Sequence, residues 1–168
     1  MTENTQPGTE GAAGSDNANA TRYIRPGGAS DRIAMAVVRG LTGLGISLLG
    51  SRVLTVRGRK TGEPRSVPVN LLTIDGKRYL VAPRGHVQWV RNLRVAGTGQ
   101  LRIGRRVEVF TPTELGDEAK PAILRAYLKR WKFEVGMFFD GIDATATDEQ
   151  LLSIAPGYPI FQIDIAAK

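Results

Sequence analysis

The chain has no cysteine and a single histidine, His86. That excludes a disulfide framework, a thiolate nucleophile and a cysteine-based metal site, and it makes a His-rich metal centre equally untenable. Aromatic residues make up only 7% of the chain. Those on candidate strands (Tyr79, Phe110, Tyr158, Phe161) form no base-stacking motif, so no nucleic-acid partner is expected. The longest charge-free run, Gly40 to Ser51, is 12 residues, short of the ~20 a membrane-crossing helix needs. No G-x-S-x-G elbow, P-loop, H-E-x-x-H or strand-to-helix G-x-G-x-x-G is present. Acid is also scarce, with 16 Asp and Glu against 23 Lys and Arg, a formal +7. Three of those acids (Glu3, Glu10, Asp16) fall in the first 21 residues, which hold no base, so 13 acids face all 23 bases from Arg22 onward. A body that basic suits a polyanionic partner.

What is present fits one folded domain in 168 residues. Residues 1–22 contain Met1 as their one large aliphatic side chain before Arg22. They cannot bury enough surface to offset ordering entropy and read as a disordered tail. They lack the basic start and apolar stretch of a secretory signal, which makes the cytoplasm the expected compartment. Residues 23–50 read as a helical segment: an N-cap signal at Ser30, then Ile33, Val37, Gly40, Leu41, Leu44 and Leu48 at helical spacing. Such a helix packs on its own domain or rests on an anionic membrane surface, with Arg32 and Arg39 near the headgroups. In the second case the protein is peripheral on the inner face of the plasma membrane.

From Ser51 to Lys168 the pattern is mainly β. "RVLTVRG" alternates, and "RSVPVNLLTIDGKRYLVAP" is two strands joined by Asp75-Gly76, a dipeptide suited to a two-residue type I′ turn. "GQLRIGRRVEVFTPTEL" is a second hairpin turning at Gly104-Arg105, and "YPIFQIDIA" is a last strand. Two helices intervene, at 86–97 (Trp89, Leu93 and Ala96 on one face) and 116–131 (a stripe of Ile123, Tyr127, Leu128 and Trp131). Thr147 to Gln150 is a capping-box pattern. The expected architecture is mainly β (α+β): a small antiparallel split β-barrel of about six strands flanked by helices.

Two basic, glycine-punctuated loops carry the candidate chemistry. "RGRKTGEPR" (57–65) sets Arg57, Arg59, Lys60, Thr61 and Arg65 around Gly58, Gly62 and Pro64. Arginine offers bidentate contacts and lysine a point charge, which suits phosphate or carboxylate groups; a plain solvated hairpin connection is the competing reading. "APRGHVQWVRNL" (82–93) is a strand end, a turn and a helix start, a ready ligand site. Trp89 and Asn92 share a face there, either toward a ligand or as core anchor and cap.

"VRGRKTGEPRSVPVNLL", "YLVAPRG", "QWVRNLRVAGTGQLRIGRR" and "KPAILRAYLKRW" resemble the actinobacterial deazaflavin (F420)-dependent nitroreductase family of the split-barrel flavin/deazaflavin oxidoreductases. The likeness runs from about Val53 to Phe139. It implies coenzyme F420, a flat tricyclic ring with a phosphate and an oligoglutamate tail, with FMN as the alternative cofactor. By this resemblance Arg59, Lys60, Thr61, Gly62 and Arg65 hold the anionic part, and Pro68, Val69, Ala82, Pro83, Arg84 and Gly85 line the ring groove. Trp89 and Asn92 pack on and hydrogen-bond the cofactor. The implied activity is hydride transfer from the reduced deazaflavin to a quinone, enone or nitroaromatic, with Arg84 a candidate to meet the acceptor oxygen. Where some relatives place tyrosines over the acceptor this chain has "EVGMFFDGIDA", so Phe138 and Phe139 are expected in a more apolar substrate pocket. A lipid-soluble quinone acceptor and a homodimer are compatible with the resemblance. A cofactor carrier without turnover, or an FMN- or haem-binding relative, is the alternative.

Overall fold

A computed structural model describes residues 22–23 and 51–166. The predicted tail and helical segment therefore lie outside the described residues, apart from Arg22 and Tyr23. Six strands follow in the order read from the sequence: β1 (Ser51–Arg57), β2 (Pro64–Ile74), β3 (Lys77–Val81), β4 (Gly99–Ile103), β5 (Arg106–Glu114) and β6 (Ile160–Ile165). They close into an antiparallel barrel with neighbours β1-β2-β3-β6-β5-β4. β1 pairs with β2 (Val53 opposite Pro68) and also with β4 (Leu54 opposite Leu101), which closes the ring. At the β2–β3 turn Asp75 and Gly76 have φ of 49° and 76°, the pair of positive angles a type I′ turn requires.

The alternation seen in sequence sorts the side chains into two cores. Leu54, Val56, Val69, Leu80, Leu101, Phe110, Phe161 and Ile163 fill the barrel with Val90 and Leu93 of α1 (Gln88–Ala96). On the other side of the wall, Leu72, Tyr79, Val81 and Ile160 meet Ile123, Leu124, Tyr127, Leu128 and Trp131 of α2 (Pro121–Val135), and Leu151 of α3 (Asp148–Ile154). Burying side chains of this size stabilises by about 1.5–3 kcal/mol each. The capping box is formed at α3: Gln150 N–H donates to Thr147 Oγ1 (3.2 Å), and Thr147 N–H to Gln150 Oε1 (2.9 Å).

Helices α1 and α2 both differ from expectation at their boundaries. α1 begins at Gln88 because residues up to Val87 are held by turn hydrogen bonds, His86 N–H to Arg22 O and Val87 N–H to Gly85 O. α2 runs past Trp131 to Val135; φ and ψ of −124° and 24° at Trp131 bend the helix there without ending it. Its predicted first turn is a separate 3₁₀ turn, Asp117–Ala119. The Lys120 that follows is buried, its Nζ bonded to Asp117 Oδ1 (2.6 Å) and Ala155 O (3.0 Å).

Candidate functional site

Along β2, Arg65, Ser66, Val67, Pro68, Val69 and Asn70 form one wall of a cavity of about 760 Å³. At ~3.3 Å rise per residue these six positions mark out about 17 Å. The β1–β2 loop closes one end of this wall, and α2 stands at the other with Tyr127, Glu134 and Val135. The loop after β3 (Ala82, Pro83, Arg84) and the start of α1 (Val87, Gln88, Trp89, Asn92) face β2.

The β1–β2 loop is built from within. Gly58 N–H donates to Glu63 O (2.8 Å) and Gly62 N–H to Gly58 O (2.7 Å), while Arg57 Nη1 turns back onto Gly62 O (3.2 Å). Arg57 thus braces the loop, whereas Arg59, Lys60 and Arg65 line the cavity. Arg59 is fixed to α1: its Nη1 donates to Gln88 Oε1 (2.7 Å) and Asn92 Oδ1 (3.0 Å), and its backbone N–H donates to the same Oδ1 (3.2 Å). Asn92 is 6% exposed, and the two bonds at Oδ1 explain its burial. Among the described residues Arg65 makes only a loose contact to Glu63 (3.6 Å), both side chains being largely exposed. No side chain caps the N-terminus of α1 and its first turn holds no acid, so the positive end of the helix dipole lies at the cavity wall.

The remaining wall is apolar: Val56, Val67, Pro68, Val69, Val81, Ala82 and Trp89, whose ring is tilted against Phe161 at 5.9 Å. Tyr23 completes it. Its backbone bridges to Gly85, and Arg91 lies 5.3 Å over its ring. Gly85 has φ of 79°, and a Cβ there would stand 2.1 Å from Arg22 O, so only glycine permits this crossing.

Of the thirteen residues proposed from the sequence to hold a cofactor, the structure brings eleven to this cavity. Gly62 and Gly85 instead shape the loops behind it. Arg84 reaches the wall, with its guanidinium 4.9 Å over the Phe138 ring. The expected substrate-pocket pair is not there: Phe139 is 1% exposed and stacked on Tyr158 at 4.4 Å, and Phe138 packs on the α2–α3 core. Tyr158 Oη donates to Phe138 O (2.6 Å), which fixes that segment against the core. His86 is structural, with Nε2 3.1 Å from Pro156 O and Nδ1 receiving Arg94 (3.2 Å).

The residues missed from the sequence are Tyr23, Asn70, Gln88, Tyr127 and Glu134. Asn70 Nδ2 donates to Glu134 Oε2 (3.2 Å), and the Asn70 side chain lies beside the Tyr127 phenol. Burial, reinforced by the Glu134 charge and only partly offset by Asn70, pushes that phenol above the usual tyrosine range. The one available signal was Asn70 itself, a polar residue interrupting the apolar run "VPVNLL".

This donor set fits an anionic group attached to a flat apolar ring: cations and a helix N-terminus at one end, an aliphatic and aromatic slot beyond. The fold is a small antiparallel barrel, and its cavity suits an anionic ring cofactor. The sequence model for F420H(2)-dependent quinone reductases matches residues 30–135, and the chain belongs to that family. It is an oxidoreductase that uses coenzyme F420. No protein of curated function matches the sequence. Among solved structures, one described as a domain-swapped dimer shares the fold at TM-score 0.52 and 18% identity, covering 82% of this chain and 100% of that one. The F420-H2 dependent reductase FDR-A gives TM-score 0.48 and 20% identity over 68% of this chain and 94% of its own. General Stress Protein 26 from Bacillus anthracis gives 0.45 and 12% over 78% and 90%.

Proposed function

We propose that this chain reduces a quinone, using one cavity for both the deazaflavin and the acceptor. Lys60, Arg65 and Thr61 hold the phosphate and neighbouring carboxylates, with Arg59 clamped in place beside them and the α1 N-terminus adding backbone donors. Pro68 and Val69 on one side, and the Ala82–Arg84 backbone and Trp89 on the other, would hold the ring in the slot between them. The bound reduced deazaflavin supplies a hydride, and the protein supplies orientation and exclusion of water. Arg84 is the cation on the wall suited to stabilise negative charge on the acceptor oxygen. The observation that carries this reading is that the basic loop, the α1 start and the apolar slot border a single cavity. The family model's own description favours a quinone among the electron-poor acceptors.

The test is calorimetric binding of the deazaflavin and of FMN in parallel, followed by oxidation of the reduced deazaflavin with quinone, enone and nitroaromatic acceptors. Tight deazaflavin binding, weak FMN binding and fastest turnover with quinones are expected. Preference for FMN, or deazaflavin binding without turnover of any acceptor, would overturn the reading.

A further inference from the structure

At the α2 end of the cavity stands a carboxylate that makes no ion pair with any cation among the described residues. Glu134 lines the cavity and accepts one hydrogen bond, from Asn70 Nδ2 at 3.2 Å. The neighbouring cations of α2 are engaged elsewhere: Lys132 Nζ pairs with Asp143 (3.0 Å), and the Arg130 guanidinium lies 5.0 Å over the Trp131 ring. Tyr127 is buried and neutral, so the Tyr127, Asn70 and Glu134 cluster carries one negative charge. The opposite end of β2 presents Lys60 and Arg65 to the same cavity, about 17 Å away at ~3.3 Å per residue. That exceeds a Debye length of about 8 Å at physiological salt, so the two ends act as separate electrostatic sites. Arg59, Lys60 and Arg65 gather at the loop end, whereas the one carboxylate among the described residues of the wall stands at the α2 end, the half that also holds Arg84.

We infer that Glu134, held by Asn70, is a specificity-determining residue: it selects uncharged or cationic aromatic acceptors, above all those with a hydroxyl or amine facing it, and rejects anionic ones. The inference rests on the proposed reading that the acceptor enters at the α2 end. A hydroxyl or ammonium group satisfies the carboxylate, whereas a second anion must be desolvated against it. At about 6 Å and an effective dielectric of ~40–80, like charges disfavour each other by about three- to tenfold in binding. Arg84, the other charged group on that half of the wall, keeps its charge in both Glu134 variants, so the ratio reports the Glu134 charge against an unchanged cation.

The experiment compares full-length protein with Glu134→Gln and Glu134→Lys. Turnover is measured with neutral 2-methyl-1,4-naphthoquinone and anionic 1,4-naphthoquinone-2-sulfonate. The readout is the ratio of the two kcat/KM values, in which any loss common to both acceptors cancels. The neutral-to-anionic ratio should fall about three- to tenfold in Glu134→Gln and further in Glu134→Lys. Independently, calorimetry on the protein saturated with oxidised deazaflavin, so that the cationic end is already occupied, should show 2-naphthol bound more tightly than 2-naphthalenesulfonate, with that gap narrowing in the same order. If quinones turn over but both ratios stay constant across the three proteins, the charge-selection idea is wrong while the quinone reading stands. If no quinone turns over, the quinone reading fails, and calorimetry alone then decides for or against the Glu134 subsite.

Discussion

Replacing Asn92 by alanine separates two roles that would look alike in a simple affinity measurement. The resemblance assigns Asn92 to direct contact with the cofactor, yet Oδ1 is already taken by the Arg59 backbone N–H (3.2 Å) and guanidinium (3.0 Å). Truncation removes the acceptor of a charge-assisted bond, worth about 1.5–3 kcal/mol, and of a neutral one, worth about 1 kcal/mol. Arg59 keeps its bond to Gln88 but loses the anchor that ties the loop backbone to α1. If Asn92 acts by placing Arg59, deazaflavin affinity should fall by about 2 kcal/mol, roughly 30-fold. Arg59→Ala should cost a similar amount, and the double variant little more than either. Calorimetric Kd values for the four proteins close the cycle, with an expected coupling of about 1–2 kcal/mol. Losses that add within about 0.5 kcal/mol would mean that Asn92 and Arg59 act on the cofactor separately, and the clamp argument would be refuted.

The exposed cations make a different prediction. Lys60→Ala and Arg65→Ala should each weaken deazaflavin binding by about 1.5–3 kcal/mol and flatten its salt dependence; a double variant that binds like wild type removes the anion end from the site. Gly85→Ala, forced to hold φ of 79° with a Cβ 2.1 Å from Arg22 O, should destabilise by about 1–3 kcal/mol in denaturant titrations. Unchanged stability would mean that the crossing at Arg22 yields without cost. Alkaline unfolding should be steep. Burial pushes the Tyr158 phenol up to about 12 and raises that of Tyr127 as well. As pH rises past the unfolded value of about 10 the unfolded state loses protons first, so stability falls from there upward. Tyr127→Phe and Tyr158→Phe should flatten that slope, and equal slopes in all three proteins would count against burial as the cause.

The barrel was legible because its signals are local. Alternation over five to nine residues and the Asp75-Gly76 dipeptide mark the strands and first hairpin, and the loop cations lie within nine residues of one another. What sequence could not show are contacts between distant segments. Arg59 meets Asn92 across 33 residues, and Asn70 meets Glu134 across 64; no spacing rule links them. Tyr127 was rightly read as core from its stripe, since it packs on Trp131 at 4.9 Å, but the stripe could not reveal that it also lines the cavity. Phe138 and Phe139 were expected at the acceptor because they occupy the stretch where some relatives carry tyrosines. Stacking on Tyr158 takes Phe139 inward, since an aromatic partner within the core satisfies it better than a cavity wall does.

Arg22 and Tyr23 bear on how the segment before β1 can be tested. Arg22 Nη1 bonds Asp140 (2.7 Å) and Nη2 bonds Phe138 O (2.7 Å), with the guanidinium 5.2 Å over the Tyr158 ring. Its carbonyl accepts from His86 N–H (2.7 Å), and Tyr23 walls the cavity. The Asp140 pair is exposed on the acid side and adds little by itself, but the charged bond to Phe138 O and the partial burial of Tyr23 against the barrel core do not depend on it. Together they are worth about 2–4 kcal/mol. A chain beginning at Ser51 should therefore melt lower than the full chain and bind deazaflavin more weakly, whether or not residues 24–50 touch anything. A chain that keeps Arg22 and Tyr23 but replaces 24–50 with a Gly/Ser linker isolates the share of those two residues and should melt above the chain beginning at Ser51. If the two shortened chains melt at the same temperature, Arg22 and Tyr23 contribute nothing to the fold and the argument from their contacts is wrong.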